Sequence, residues 1–511
     1  MPPEPGPYGI SLPPSSLHTT LHSGIHPAHQ RAVERVTHEQ ACLAGTMPIN
    51  SLHEFISLLE ANGELSRIAV PADPVLEIAA ITNRVCKQPG GGSALLFEQP
   101  GGTPFPLAVN LFGSEKRVCH ALNIADTSEL TARLAALLDG IAGLDLPSLD
   151  RQIADLPEFA RFTPHAAAEP DPALIPMNPP DLTRFPFLQN WPGDGAAEGH
   201  PRYITLPQVV TTDPDGGTPN CGVYRVQLRG EREVAIQWKT GSGAARHAEL
   251  YRHAGKPMPV AIVLGGVPAT LFSAMFPLPG DLDELTFAGF LRGIPLATAP
   301  CHTVSLQVPL GAEVVIEGYV EPGDMVMEGP FGNHTGFYAA AAPAARLRVT
   351  AISHRPDAII PATIVGPPPM EDCWMSQAWE RLLLAFLQRL MPEIADIHFP
   401  MEWVFHGSAI ISLEKPQPGM VRNISGQLWD LPWFRSARLL LFVAADRKPL
   451  TLSHAAWRSI NLTDTINDIV HDTTGRLAVD ATGSRTSRPE VRVSDEIAAM
   501  VTRRWKEYEL A

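Results

Sequence analysis

Proline lacks a backbone N–H and fixes φ, so clustered prolines end helices and central strands wherever they fall. The chain holds 51 prolines in 511 residues. Two clusters coincide with changes in hydrophobic periodicity: the stretch from Pro170 to Pro192 around Asn178-Pro-Pro-Asp181, and the run Gly366-Pro-Pro-Pro369. At roughly 150 residues per domain the length fits about three domains. The expected division is an extension at 1–46, a first domain at 47–165, a second at 166–366 and a third at 367–511.

Residues 1–46 are rich in Pro, Ser, His and Gly without a sustained period. They read as a loose, disordered tail or as the product of a start codon placed too early; His18, His22, His26 and His29 would make a metal-binding tract only on the sharper reading. From Ser51 an amphipathic pattern begins, and helix-like segments (51–62, 75–87, 127–142) alternate with short apolar strands at Ala94–Phe97 and Pro106–Asn110. That alternation is the signature of an α/β domain.

The second segment turns to β, with Tyr203–Leu206, Val209–Thr212, Val223–Leu228 and Glu233–Trp238 separated by Gly, Asp and Pro turns. A helix at Asp283–Leu291 interrupts, and strands are expected again at 302–308, 313–320 and 345–353, giving a barrel-like or sandwich-like domain. The third segment opens on a long helix at 371–391 and continues as α/β with strands at 408–413 and 438–444. Its final helix, Ser494 to Glu509, carries an N-cap serine and a stripe of Ile497, Val501 and Trp505, which packs on its own domain or on a partner subunit. The fold class is α/β with α+β character.

A net charge of −15 with both signs interspersed excludes the basic face of a nucleic-acid reader. The apolar run Leu439–Ala445 is far shorter than the roughly 18 residues of a membrane span, so no membrane role and a cytoplasmic location are expected. Six cysteines without a C-x-x-C pair read as reduced, buried thiols.

Three polar clusters lie beside glycine and proline, where backbone can approach a ligand. Asn220-Cys-Gly-Val-Tyr-Arg225 follows a Pro-Asp-Gly-Gly turn. Gln237-Trp-Lys-Thr-Gly-Ser-Gly-Ala-Ala-Arg246 ends a strand in two glycines able to offer N–H groups to a phosphate, though it is neither a Walker nor a Rossmann fingerprint. Glu328-Gly-Pro-Phe-Gly-Asn-His-Thr-Gly-Phe-Tyr338 sets a carboxylate, an amide and an imidazole among three glycines. Such residues can converge on one pocket, where a carboxylate among aromatics suits proton transfer.

Together with Tyr203-Ile-Thr205, Thr212-Asp-Pro214, Gly243-Ala-Ala-Arg-His247, Glu284-Leu-Thr-Phe-Ala-Gly-Phe-Leu-Arg-Gly293, Glu317-Gly-Tyr319 and Gly366-Pro-Pro-Pro369, these clusters resemble the UbiD family of prenylated-FMN-dependent decarboxylases from about 47 to 490, and specifically its (hetero)aromatic acid branch. The resemblance implies an N-terminal α/β domain, a central split β-barrel that binds flavin and a C-terminal α/β domain used for oligomerisation, as a homodimer or larger homo-oligomer. It implies reversible non-oxidative decarboxylation through a covalent adduct with prenylated FMN, with a flavin prenyltransferase as cofactor supplier. By the same resemblance Val223, Tyr224, Arg225, Gln237, Trp238, Lys239, Ser242 and Gly243 contact the flavin, and Asn220, Glu284 and Gln237 hold Mn²⁺ or Mg²⁺, with K⁺ nearby.

The catalytic set implied is Arg225, Glu328 and Asn333. Two positions depart from the family's pattern. Gln237 stands where His or Arg is usual, leaving the third metal ligand open, and Asn333 stands where an acid usually supplies the product proton. An amide is no general acid at neutral pH, so Glu328 or a group acting through water must deliver the proton, and Asn333 becomes a reader of a ring N–H, ring oxygen or hydroxyl. The substrate implied is a heteroaromatic acid of the pyrrole, furan or indole type, with His406, or less so His334, as a second binding group. A phenolic or polycyclic acid, such as hydroxybenzoate or phenazine carboxylate, is the first alternative; a catalytically silent flavin-binding subunit is the second.

Overall fold

The computed structural model describes residues 48–508 except 142, 145, 218, 281, 406, 447–449, 465, 485–490 and 492, and of Leu146 only the backbone. The expected extension at 1–46, with its four histidines, lies outside the described residues, as does Cys42.

Ser51 caps the first helix, α1 (Leu52–Ala61), by accepting the Glu54 N–H, and the helix buries Leu52, Phe55, Ile56 and Leu59. With α2 (Glu77–Cys86) and α3 (Ser128–Leu138) it accompanies the strands β1 (Leu65–Ile68), β2 (Ala94–Phe97) and β3 (Leu107–Val109). β1 runs parallel to β2, and β2 antiparallel to β3.

The middle of the chain forms a nine-stranded sheet. Its path uses β4 (Tyr203–Ile204), β5 (Gln208–Thr211), β6 (Asn220–Gly222), β7 (Val226–Leu228), β8 (Glu233–Ile236), β9 (Met258–Leu264), β10 (Val314–Glu328) and β11 (Ala342–His354) in the order β4-β7-β8-β11-β10-β9-β5-β6, with Ile175–Pro176 pairing off that path to β11. All of its pairings are antiparallel. β10 and β11 are long because two register shifts, at Glu317/Gly318 and Val320/Met325, bend the pair while keeping it in register beyond each. Val234, Ile262, Ile316 and Leu347 meet in a buried cluster. Helices that pack against this sheet include α4 (Gly243–Ala254) and α5 (Glu284–Arg292).

α4 is absent from the sequence-based expectations because its first residues read as a glycine loop. Ser242 accepts the Ala245 N–H and starts the helix at Gly243, and Gly255 ends it in the left-handed region. Of the strand expected at 302–308, only Gln307–Pro309 pairs; Glu317 accepts the His302 and Thr303 N–H groups and holds the preceding residues in a loop.

After the middle sheet, β12 (Ile360–Ala362) pairs parallel with β3, so the first sheet is completed by a strand some 250 residues later. The long helix α6 (Glu371–Leu390) packs back on α3, with Thr131 Oγ1 donating to the Arg381 carbonyl at 2.7 Å. A last, mixed sheet of β13 (Ile394–His398), β14 (Ser408–Leu413), β15 (Leu439–Ala444), β16 (Ile469–His471) and β17 (Leu477–Asp480) has the order β13-β14-β15-β17-β16, parallel at its centre. α7 (Asp495–Arg504) is capped by Ser494 as expected but buries none of its residues, and Ile497 and Trp505 stand open. The stripe therefore does not pack on its own domain. The five described cysteines are free thiols, four of them buried, and no described helix is long and apolar enough to cross a membrane.

The proline run leads α6 in with two buried acids, Glu371 and Asp372. The Lys87 ammonium at the end of α2 donates to the carbonyls of Pro367 and Pro369. Burial, and then the adjacent Glu371 carboxylate, pushes the Asp372 carboxyl up to about 7. A folded-state pKa raised above the unfolded value means that stability is lost as the pH rises through it. Asp372→Asn should therefore raise the thermal midpoint most above pH 7 and progressively less towards pH 3.8, where the unfolded chain also holds the proton. An equal gain at pH 8 and pH 4.5 would show that Asp372 carries no such burden.

Candidate active site

β10 ends on Glu328, whose side chain is fully buried (0% exposed), and Arg225 lies in the short break between β6 and β7. The strand order brings them together across 103 residues: Arg225 Nε donates to Oε1 at 2.8 Å and Nη2 to Oε2 at 2.6 Å. Two parallel charge-assisted bonds of this kind offset the cost of burying the carboxylate, which one contact would not do. The pair uses one edge of the guanidinium and leaves the Nη1/Nη2 edge. The Phe331 ring lies 5.3 Å from Arg225 Cζ, and the Tyr203 ring packs on Phe331 at 4.6 Å. Tyr203 is buried, and that burial together with the nearby Glu328 charge raises its hydroxyl pKa.

Asn333 is half-buried in the loop after Glu328. Its Oδ1 accepts both the Thr335 N–H at 2.9 Å and the Thr335 hydroxyl at 2.6 Å. Because the Thr335 backbone is a donor, the facing atom must be the amide oxygen. With that oxygen engaged within the loop, the amide offers Nδ2 as a donor, which is the sense needed for a ring oxygen or a hydroxyl among the groups expected from the sequence. The His334 ring lies 5.6 Å from that of Phe405, tilted by 42°, and His406 lies outside the described residues.

A second group forms around the start of α4. A Cβ at Gly243 would fall 2.1 Å from Asn220 Oδ1, so only glycine lets the helix start lie against that amide. Glu284 Oε2 accepts the Cys221 N–H at 3.0 Å, bringing the carboxylate beside the same strand. Gln237 Oε1 is buried without a hydrogen-bond partner. Tyr224 packs edge-on to Trp238 at 5.5 Å, with its hydroxyl near Asn220 Nδ2, and its pKa is raised by burial. Val223 is half-buried, Ser242 caps α4, and Lys239 is exposed. Among the described residues no three His, Cys, Asp or Glu side chains gather as a metal site. The oxygen donors of Asn220, Glu284 and the orphaned Gln237 fit a hard cation and its phosphate instead.

One segment of the site went unread in the sequence. Trp191-Pro-Gly-Asp-Gly195 closes the first proline-rich stretch. Asp194, buried at 2% exposure, accepts the Trp191 N–H at 2.9 Å and the Gly332 N–H at 2.8 Å. Its pKa is raised by burial first, with the Glu328 charge adding to it against those N–H donors. A carboxylate between two glycines after Trp-Pro was the available signal, but it lies at the end of a proline cluster that reads only as a change of periodicity.

Residues 56–138, 167–368 and 373–488 match, in order, the N-terminal, Rift-related and C-terminal domains described as those of 3-octaprenyl-4-hydroxybenzoate carboxy-lyase, UbiD. The chain belongs to the UbiD family of carboxy-lyases. An uncharacterised protein of Archaeoglobus fulgidus is 35% identical over 426 residues, 83% of this chain and 86% of its own. Vanillic acid decarboxylase of Sedimentibacter hydroxybenzoicus in its closed form superposes with a TM-score of 0.76 at 24% identity, covering 91% of this chain and all of that one. An evolved dimeric form of the UbiD-class enzyme HmfF from Pelotomaculum thermopropionicum, in complex with prFMN, gives 0.73 at 24% identity over 87% and 98% of the two chains. At these identities the two structures establish the shared UbiD fold.

Removing Arg225 leaves the Glu328 carboxylate buried and unpaired. Arg225→Met should lower stability by about 3–5 kcal/mol, and adding Glu328→Gln should restore most of that loss in denaturant titrations. A single variant as stable as the parent would mean that the pair is not held as a buried ion pair.

Proposed function

We propose that the chain catalyses the reversible, non-oxidative decarboxylation of a heteroaromatic carboxylic acid with prenylated FMN, releasing CO₂. The observation that carries this reading is the Arg225–Glu328 pair, which presents a guanidinium edge beside a buried acid. Family membership supports the carboxy-lyase chemistry, and HmfF was solved with prFMN.

Prenylated FMN, when bound, supplies the electron sink for breaking the carbon–carbon bond. Asn220, Glu284 and Gln237 would hold its phosphate through Mn²⁺ or Mg²⁺, with K⁺ close by, and Val223, Tyr224, Trp238, Lys239, Ser242 and Gly243 would line its ring and phosphate sites. The free Nη1/Nη2 edge of Arg225 binds the substrate carboxylate, for which its planar fork is suited. As Arg225 turns towards the substrate carboxylate, Glu328 is released from the ion pair, takes up a proton that comes from solvent, and passes it to the ring carbon in place of the CO₂ that leaves. Phe331 and Tyr203 keep water away from that transfer.

Asn333 selects the ring. With Oδ1 engaged by Thr335, its Nδ2 donates, which favours a substrate atom that accepts. Within the heteroaromatic class this supports a furan-type ring oxygen over the N–H of pyrrole or indole. The same donor suits a phenolic oxygen, and the structural likeness to vanillic acid decarboxylase keeps hydroxybenzoate-type acids as the second reading. The assembly proposed is a homo-oligomer, at least a dimer.

Co-expression with a flavin prenyltransferase and a panel of furan-2-, pyrrole-2-, indole-3-, 4-hydroxybenzoic and phenazine carboxylates tests the substrate. Furan-2-carboxylate should give the highest CO₂ release; preference for pyrrole-2-carboxylate would overturn the donor role of Asn333. Glu328→Gln should abolish CO₂ release while the flavin absorbance stays with the purified protein, and retained turnover would remove Glu328 from the proton path.

A further inference from the structure

Glu328 and Asn333 can act together only if the four residues between strand end and amide keep one shape, yet that stretch carries two glycines and a proline and lies outside the long strand pairing. Its anchor comes from another part of the chain. Asp194 Oδ1 takes the Gly332 N–H and Oδ2 takes the Trp191 N–H, so each oxygen joins a different segment, 138 residues apart at the farther one. Around it the Gly195 N–H donates to the Pro330 carbonyl at 2.8 Å, the Ala197 N–H to the Gly329 carbonyl at 3.4 Å, and the Gly193 N–H to the Tyr338 hydroxyl at 2.8 Å.

The Trp191 ring locks the same clasp from behind. A Cβ at Gly332 would fall 2.3 Å from Trp191 Cδ1, and one at Gly366 would fall 2.4 Å from its Cζ2. Trp191 Nε1 donates to the Val365 carbonyl at 2.7 Å. One aromatic ring thus fills the space left by two glycines and ties the loop after Glu328 to the segment before the second proline run.

We propose that Asp194 is a positioning residue, which fixes the loop carrying Glu328 and Asn333 by clamping the Gly332 N–H to the Trp191–Gly195 turn. Its oxygens are taken up by backbone N–H groups, and its effect on catalysis rests on the function proposed for Glu328. The clamp needs a carboxylate because its partners, the backbone N–H groups of Gly332, Trp191 and Asn190, are all donors. An amide has one acceptor and one NH₂ group, so it can satisfy one contact only by setting a donor against the other.

The test is Asp194→Asn in the full chain, read by hydrogen–deuterium exchange with mass spectrometry and by kinetics on furan-2-carboxylate. Loss of a buried partner should speed exchange about tenfold or more in peptides covering 329–338, while peptides covering 258–264 and 408–413 stay as in the parent. With the parent active, kcat/KM should fall about tenfold or more, with kcat lowered as Glu328 loses its place and KM raised as Asn333 on the same loop does. Unchanged exchange at 329–338, or acceleration spread evenly over all peptides, overturns the proposal. Should Asp194→Asn not fold, Tyr338→Phe removes a half-exposed hydroxyl from the same clasp and should speed exchange in the same peptides to a smaller extent; no change there also overturns it. Faster loop exchange in a protein whose parent decarboxylates none of the acids would uphold the clamp and remove the proposed function.

Discussion

The buried Glu328 carboxylate imposes the strictest condition on this structure. A charge with no exposure is tolerated only with close, well-oriented partners, and Arg225 supplies them in a two-point contact. That geometry requires β10 to end at a defined height relative to the break between β6 and β7. The nine-stranded sheet, with its bent β10–β11 pair, delivers it. The aromatic wall of Phe331 and Tyr203 then follows from the same strand end and its neighbour, since Phe331 lies three residues past Glu328 and β4 pairs with β7.

The second half of the site obeys a different rule, close approach. Asn220 and the start of α4 sit nearer to each other than any side chain on residue 243 would permit. Glycine there allows a helix start, with its exposed N–H groups, to stand beside an amide and a carboxylate oxygen. Such a place is suited to an anion held through a hard cation. The two halves are joined covalently by Cys221–Tyr224, so the acid pair and the oxygen donors keep a fixed relation through one short stretch of backbone.

Much of this was legible in the text of the sequence. The proline runs fall where the sheets change, an amphipathic helix follows Ser51, Ser494 caps the last helix as read, and Asn220, Arg225 and Glu328 stand in polar clusters beside glycines, with Glu284 implied by the family resemblance. What escaped reading shares a cause. α4 begins with glycines, whose local preference is for loops, and forms because Ser242 caps it. Asp194 was hidden at the end of a proline cluster, because its partner Gly332 is distant in sequence. The stripe of α7 has ordinary helical spacing, and spacing says that a face is apolar without saying what covers it.

By itself the sequence determined residue chemistry and local periodicity: where helices can start, where prolines must end them, and which positions carry an acid, an amide or a glycine. Only the tertiary structure decided which of those groups meet. The Arg225–Glu328 pair depends on sheet register, and a slip of one residue in β10 would turn Glu328 to the opposite face. The direction in which Asn333 can hydrogen-bond depends on Thr335 having taken its oxygen, and the shape of the loop depends on a carboxylate 138 residues before Gly332. Periodicity is a property of neighbours along the chain, whereas these contacts are properties of packing, and the packing is settled only when all the sheets are in place.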